Sequence, residues 1–120
     1  MRLPMRLTSK MSALVNDRAA LRTCLKDRTS AGNSATIAFL DSYLNYAPAV
    51  EPEDFDVCPI LLTQPAADRW TPVHLSELFL GRVGRVPVTT VMLDGAGHYP
   101  IEDTGLRQMV DAIAAFCGEV

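Results

Sequence analysis

Little in this sequence marks an address or a cofactor. Its three cysteines, Cys24, Cys58 and Cys117, stand far apart among apolar neighbours. A zinc site needs Cys or His paired at short spacing, and none occurs, so no metal is expected. An odd, scattered set reads as small buried hydrophobes in a reducing compartment, and a cytoplasmic chain is expected. Lysine and arginine form no block and the formal net charge is −3, which argues against nucleic acid or an anionic membrane as partner. No apolar run approaches the ~18 residues of a membrane span. Arg2 and Arg6 are not followed by the apolar stretch and cleavage site of a signal peptide, so no targeting segment is expected.

What is present is a globular composition. Hydrophobic residues make up 48% and charged residues 21% of the chain, outside the range of disordered segments. A chain of 120 residues suffices for one small domain.

The first part reads helical. Asn16 or Asp17 can cap a helix through about residue 28, with Ala20, Leu21, Cys24 and Leu25 on one face. A turn over 29–34 follows, and Asn33 or Ser34 can cap a second helix reaching about residue 46. A further short helical turn fits 10–15. The stretch APAVEPEDFD over 47–56 carries two prolines and four acids and reads as a linker, its Asp54 and Asp56 in solvent. The expected layout is therefore a helical segment over 1–50 and a second segment over 51–120.

That second segment changes period. VCPILLT at 57–63 is almost wholly apolar, as a strand covered on both faces should be. A loop containing Asp68 leads to a helix over 73–83. VPVTTVML at 86–93 is rich in β-branched residues and reads as the next strand. After the loop LDGAGHYP, the stripe Leu106, Met109, Val110, Ile113, Ala114 and Cys117 marks a last helix. Asp103 or Thr104 can cap it and Gly118 can end it. Strand, helix, strand, helix predicts an α/β unit with two parallel strands and a right-handed crossover. Parallel strands point their carboxyl ends the same way, so Asp68 and His98 should land on one edge, where open α/β sheets place their sites.

An acid and an imidazole on neighbouring loops have a definite use. The carboxylate fixes the tautomer through one ring nitrogen, and the other nitrogen takes a proton from a nucleophile. Taken alone, His98 reads as an ordinary loop histidine and Asp68 as a cap or surface acid. Asp94 is a competing partner for His98 but suits a turn. His74 reads as a surface residue, and Trp70 as a pocket wall or a shield over the sheet. Glu102 suits a cap or a loop support.

CPILLTQPAADRWTP and VTTVMLDGAGHYPIEDTGLRQMVDAIAAF together resemble the C-terminal part of an α/β-hydrolase of the lysophospholipase or monoacylglycerol-lipase kind, over about residues 57–117. The resemblance implies that Asp68, with Pro72 four residues on, is the triad acid, and that His98 in the GAGH loop is the triad base. It implies a helical cap before the strands, an ester or lipid-like substrate, and no cofactor. Two departures stand out. The family usually has Gly three residues before the acid, where this chain has Pro65. The family nucleophile is a Ser in Gly-x-Ser-x-Gly ahead of the cap; the nearest approach here is GNSAT at 32–36, where Ser34 is better explained as a helix cap. The expectation is therefore a hydrolase homologue with acid and base but no nucleophile half, inactive alone, truncated or split. The competing expectations are a non-catalytic interaction module that pairs with itself or with a missing N-terminal half, because two strands alone leave open edges, and a small hydrolase using Ser34.

Overall fold

The structure is a computed structural model that describes residues 1–119. The chain divides into two compact units, Met1–Ala49 and Val50–Val120.

The first unit is not purely helical, as its sequence suggests. Strand β1 (Arg2–Pro4) pairs antiparallel with β2 (Ser34–Thr36), Leu3 opposite Ala35. Between them lie α1 (Met5–Thr8), a 3-10 turn at Met11–Ala13 and α2 (Arg18–Lys26). Asp17 caps α2 as expected, its Oδ1 accepting from the N–H groups of Ala19 and Ala20 at 2.9 and 2.8 Å. The cap expected at Asn33 or Ser34 falls instead on Thr36, whose Oγ1 accepts from Phe39 N–H and opens α3 (Ile37–Leu44). The reason is the pairing with β1. Ser34 is drawn into a strand, so the next hydroxyl residue takes the cap. Met11, Ala13, Leu14, Val15, Ala31 and Ala35 are the buried apolar residues of this unit.

The second unit has the expected order. Strand β3 (Ile60–Pro65), helix α4 (Val73–Leu80), strand β4 (Val88–Leu93) and helix α5 (Asp103–Glu119) follow one another. β3 and β4 pair in parallel from Ile60 opposite Val88 to Pro65 opposite Leu93. The molecule is thus mixed α/β, with a small parallel sheet and flanking helices. α5 packs on both strands. The strands are not covered on both faces, however: Thr89, Thr90 and Met92 are exposed and most of β3 is half-buried. α4 stops at Leu80, short of the expected residue 83, and tightens through Arg82 N–H to Phe79 O and Val83 N–H to Leu80 O. At the other end α5 runs through Gly118 rather than stopping there.

The acidic stretch before β3 is structured rather than merely solvated. Pro52–Asp54 forms a 3-10 turn. Arg82 bonds Glu53 at 2.6 Å and Glu51 at 3.0 Å, and Arg85 bonds Asp54. The Arg82 hydrogen bond holds the Glu53 carboxyl below its usual range. These exposed pairs add little stability but tie the segment to the end of α4. The cysteines also depart from expectation. Cys58 and Cys117 are exposed and Cys24 is half-buried, all three as free thiols.

Gly105 on α5 governs the close approach of that helix to the loop after β4. A Cβ there would sit 2.7 Å from the Cβ of Ala96, which is fully buried. Gly105→Ala gains about 1 kcal/mol of helix propensity, whereas overpacking a filled site costs about 1–3 kcal/mol. The expected outcome is net destabilisation in urea unfolding; a more stable variant would show that the contact yields freely.

Candidate functional site: an aspartate–histidine pair at the carboxyl edge of the parallel strands

Pro65 and Leu93 end the two strands side by side. Two further backbone bonds hold the outgoing loops together: Ala66 N–H donates to Leu93 O and Ala67 N–H to Ala96 O, both at 2.9 Å. Each chain therefore leaves the sheet in register with the other. Asp68 and His98, thirty residues apart, meet with His98 Nδ1 2.9 Å from Asp68 Oδ2. Pro65 stands at the turn into the acid loop. It closes β3, and its carbonyl accepts from Asp68 N–H at 3.3 Å.

The carboxylate is heavily solvated by protein. Its Oδ1 accepts from the N–H groups of Trp70 and Thr71 at 2.8 and 2.9 Å. Its Oδ2 accepts from Thr71 Oγ1–H at 2.9 Å as well as from the imidazole. The Asp68 side chain is only 2% exposed. Burial pushes its carboxyl upward, but bonds from His98, from the Thr71 and Trp70 N–H groups and from the Thr71 hydroxyl outweigh it, so the group titrates below the usual carboxylate range. Asp68 is therefore an anion at neutral pH.

That network assigns the histidine tautomer. Thr71 gives its hydroxyl proton to Asp68, and its oxygen lies 3.0 Å from His98 Nδ1. Nδ1 thus faces two acceptors and carries the ring proton. Nε2 is left with its lone pair, and among the described residues no hydrogen bond to it occurs. The ring is held from two sides. Trp70 meets it edge-on at 4.5 Å between centroids and Tyr99 lies at 5.5 Å. The His98 side chain remains 24% exposed, so a reactant can reach it.

The histidine loop is fixed from α5. Gly95 takes φ +68°, the left-handed region that glycine adopts without strain. Asp94 does not compete for His98; it bonds Gln108, with Asp94 N–H to Gln108 Oε1 at 2.7 Å and Gln108 Nε2–H to Asp94 Oδ2 at 2.9 Å. Glu102 supports the loop, its Oε2 accepting from the N–H groups of Gly97 and Ile101 at 3.2 and 3.1 Å. His74 is exposed.

Two residues of the site carry no catalytic signature in the sequence. Thr71 touches both members of the pair; its spacing of three from Asp68 is that of a side-chain-to-backbone capping bond, the one available signal. Buried Gln64, on β3, donates from Nε2 to the Thr71 carbonyl at 3.2 Å and anchors the acid loop. Ser34, the nearest match to a nucleophile motif, belongs to the first unit, where its Oγ accepts from Arg2 Nε–H at 2.9 Å.

The class of site is thus a buried carboxylate orienting a reachable imidazole at the carboxyl edge of a parallel strand pair. No family model, curated protein or solved structure matches the chain. Among the described residues no three His, Cys, Asp or Glu side chains gather as a metal site requires, and no helix is long and apolar enough to cross a membrane.

Asp68→Asn replaces an anionic acceptor with a neutral amide, whose NH2 is satisfied only if the ring gives up Nδ1–H for the Nε2–H form. The loss at neutral pH should be about 1.5–3 kcal/mol of stability, the range for hydrogen bonds to a charged group. Because the folded carboxyl titrates below its unfolded value of ~3.9, its contribution is complete above that pH and fades as pH falls through the folded value. Urea unfolding of both proteins across the acid range should show the gap closing below about pH 4; a gap that persists unchanged would contradict the assignment of an ionised Asp68.

Proposed function

We propose that the Asp68–His98 pair is the acid–base half of a Ser-His-Asp site for carboxylic-ester or lipid-like substrates. On this reading the second unit corresponds to the C-terminal part of an α/β-hydrolase fold. The observation that carries the proposal is the 2.9 Å contact of His98 Nδ1 with a buried carboxylate, which leaves Nε2 as the free base. Nε2 would take the proton of a hydroxyl nucleophile as it attacks the ester carbonyl, then return it to the departing alkoxide. Asp68 stays ionised throughout, and the chemistry requires no metal or organic cofactor. The same reading puts the chain in the reducing cytoplasm, in keeping with three free thiols.

The nucleophile is not among these residues. No Gly-x-Ser-x-Gly occurs in the 120, and the Ser34 hydroxyl is engaged by Arg2. The chain by itself should therefore cleave only activated esters, with His98 as the acting base, and should leave unactivated esters intact.

A p-nitrophenyl acetate assay tests this. Slow cleavage is expected, falling in His98→Ala to the residual rate left by exposed His74 and the free thiols. It should drop at least about tenfold in Asp68→Asn, within the range for general acid–base catalysis. Ser34→Ala should leave it unchanged. A rate indifferent to His98, or one abolished by Ser34→Ala, would overturn the reading.

A second reading is favoured by a different observation. Leu78, Phe79 and Val110 are 71%, 50% and 61% exposed, and each strand of the parallel pair has one unpaired edge. Such surfaces suit an association module that joins a second copy or a chain supplying further strands. Sedimentation of a micromolar solution decides between them: self-association lost in Phe79→Glu, with no His98-dependent cleavage, would favour the module.

A further inference from the structure

Charge is divided unevenly between the two units. Residues 1–49 hold seven Lys and Arg against three Asp, whereas 50–120 hold four Arg against eleven Asp and Glu. The overall −3 thus conceals a cationic first unit. That unit contains a cavity of about 870 Å³, walled in part by Arg6, Lys10 and Arg28 with Ser9, Ser12 and Asn33. The size falls within the range of small-molecule sites.

Among the described residues no carboxylate lines this cavity. Among the described residues none of the three cations is in an ion pair. Asp27, next to Arg28 in sequence, is turned to other use: its Oδ1 accepts from the Thr29 N–H and hydroxyl at 2.8 and 2.7 Å, and the hydroxyl bond chiefly holds its carboxyl below the usual range. Asn33 is likewise oriented, its Oδ1 accepting from Ser34 N–H at 2.7 Å, which leaves its NH2 group as a donor. The wall therefore presents three positive charges and a pure donor without a built-in counter-charge.

The wall is also shaped. Gly32 lies on it, and a Cβ there would come within 2.8 and 2.9 Å of the carbonyl oxygens of Asp27 and Leu25. Only glycine lets the loop after α2 close this tightly, and Gly32 N–H to Asp27 O and Asn33 N–H to Ser30 O then fix it. Leu25 and the buried Met11 and Ala31 supply apolar wall beside the cations.

We propose that this cavity binds a small molecule carrying a phosphate group with two or more negative charges on a compact organic body. The phosphate would lie against Arg6, Lys10 and Arg28, as charge-assisted bonds favour. The cavity belongs to the first unit and the Asp68–His98 pair to the second. Arg6, Lys10 and Arg28 are exposed, so the phosphate would sit at the mouth of the concavity with the organic body against Met11, Leu25 and Ala31; a nucleic-acid strand would need a longer basic track.

Calorimetric titration of the full chain with inorganic pyrophosphate, the probe for the anionic head, tests the proposal. Saturable one-to-one binding is expected. Arg28→Gln and Lys10→Gln should each weaken it about tenfold or more, the effect of one charge-assisted bond. Arg22→Gln, on α2 but not on the cavity wall, should leave it unchanged, with circular dichroism verifying the fold of every variant. Displacement of the probe by phosphatidic acid vesicles would identify a lipid headgroup as the source of the phosphate; displacement only by soluble phosphate esters would identify a free metabolite. No saturable binding, equal weakening by Arg22→Gln, or tighter binding of single-stranded oligonucleotide than of pyrophosphate would overturn it.

Discussion

The hydrogen bond between His98 Nδ1 and Asp68 Oδ2 depends on one constraint, the in-register parallel pairing of β3 and β4. Parallel strands that end level leave the sheet on the same side, and residues a few positions beyond each end must then share a small volume. Had the pairing slipped by two residues, the loops would emerge about 6–7 Å out of step, more than twice the hydrogen-bond length. The bonds from Ala66 to Leu93 and from Ala67 to Ala96 extend the register into the loops and remove most of the remaining freedom.

The rest of the second unit serves that meeting point. Gln64 and Thr71 hold the acid loop, and Gln108 and Glu102 hold the histidine loop. The first set draws on β3 and the acid loop itself, the second on α5 with its leading residue. Gly105 lets α5 come close enough to act. Five hydrogen-bonding contacts converge on Asp68 and His98, which lowers the carboxyl titration and commits Nδ1 as donor. A buried carboxylate with fewer donors would be driven toward its neutral form and lose its hold on the ring.

Much of this was legible in residues 57–117, because hydrophobic period and strand-end loops are local signals. The run VTTVML, rich in β-branched residues, favours an extended chain, and the two glycines of GAGH favour a turn after it. Asp68 and His98 were visible for that reason. Thr71 and Gln64 were not, since their partners appear only when two loops close on each other. The first unit was harder to read. Ser34 and Thr36 are both competent caps, and only pairing with Arg2–Pro4, some thirty residues away, makes Ser34 a strand residue. The cysteines misled for a related cause. Apolar neighbours in sequence do not specify which face is covered, and Cys58 and Cys117 lie on uncovered ones. The charge division between units is masked by the single net value of −3, which averages over a boundary the linker at 47–56 already marks.

The most direct measurement is the protonation of the His98 ring by nitrogen-15 NMR at neutral pH. The proton should reside on Nδ1, with a downfield resonance that Asp68→Asn removes while the ring shifts to the Nε2–H form. A ring already in the Nε2–H form in the unaltered chain, or one whose spectrum ignores the change at Asp68, would contradict the pairing on which the site is built.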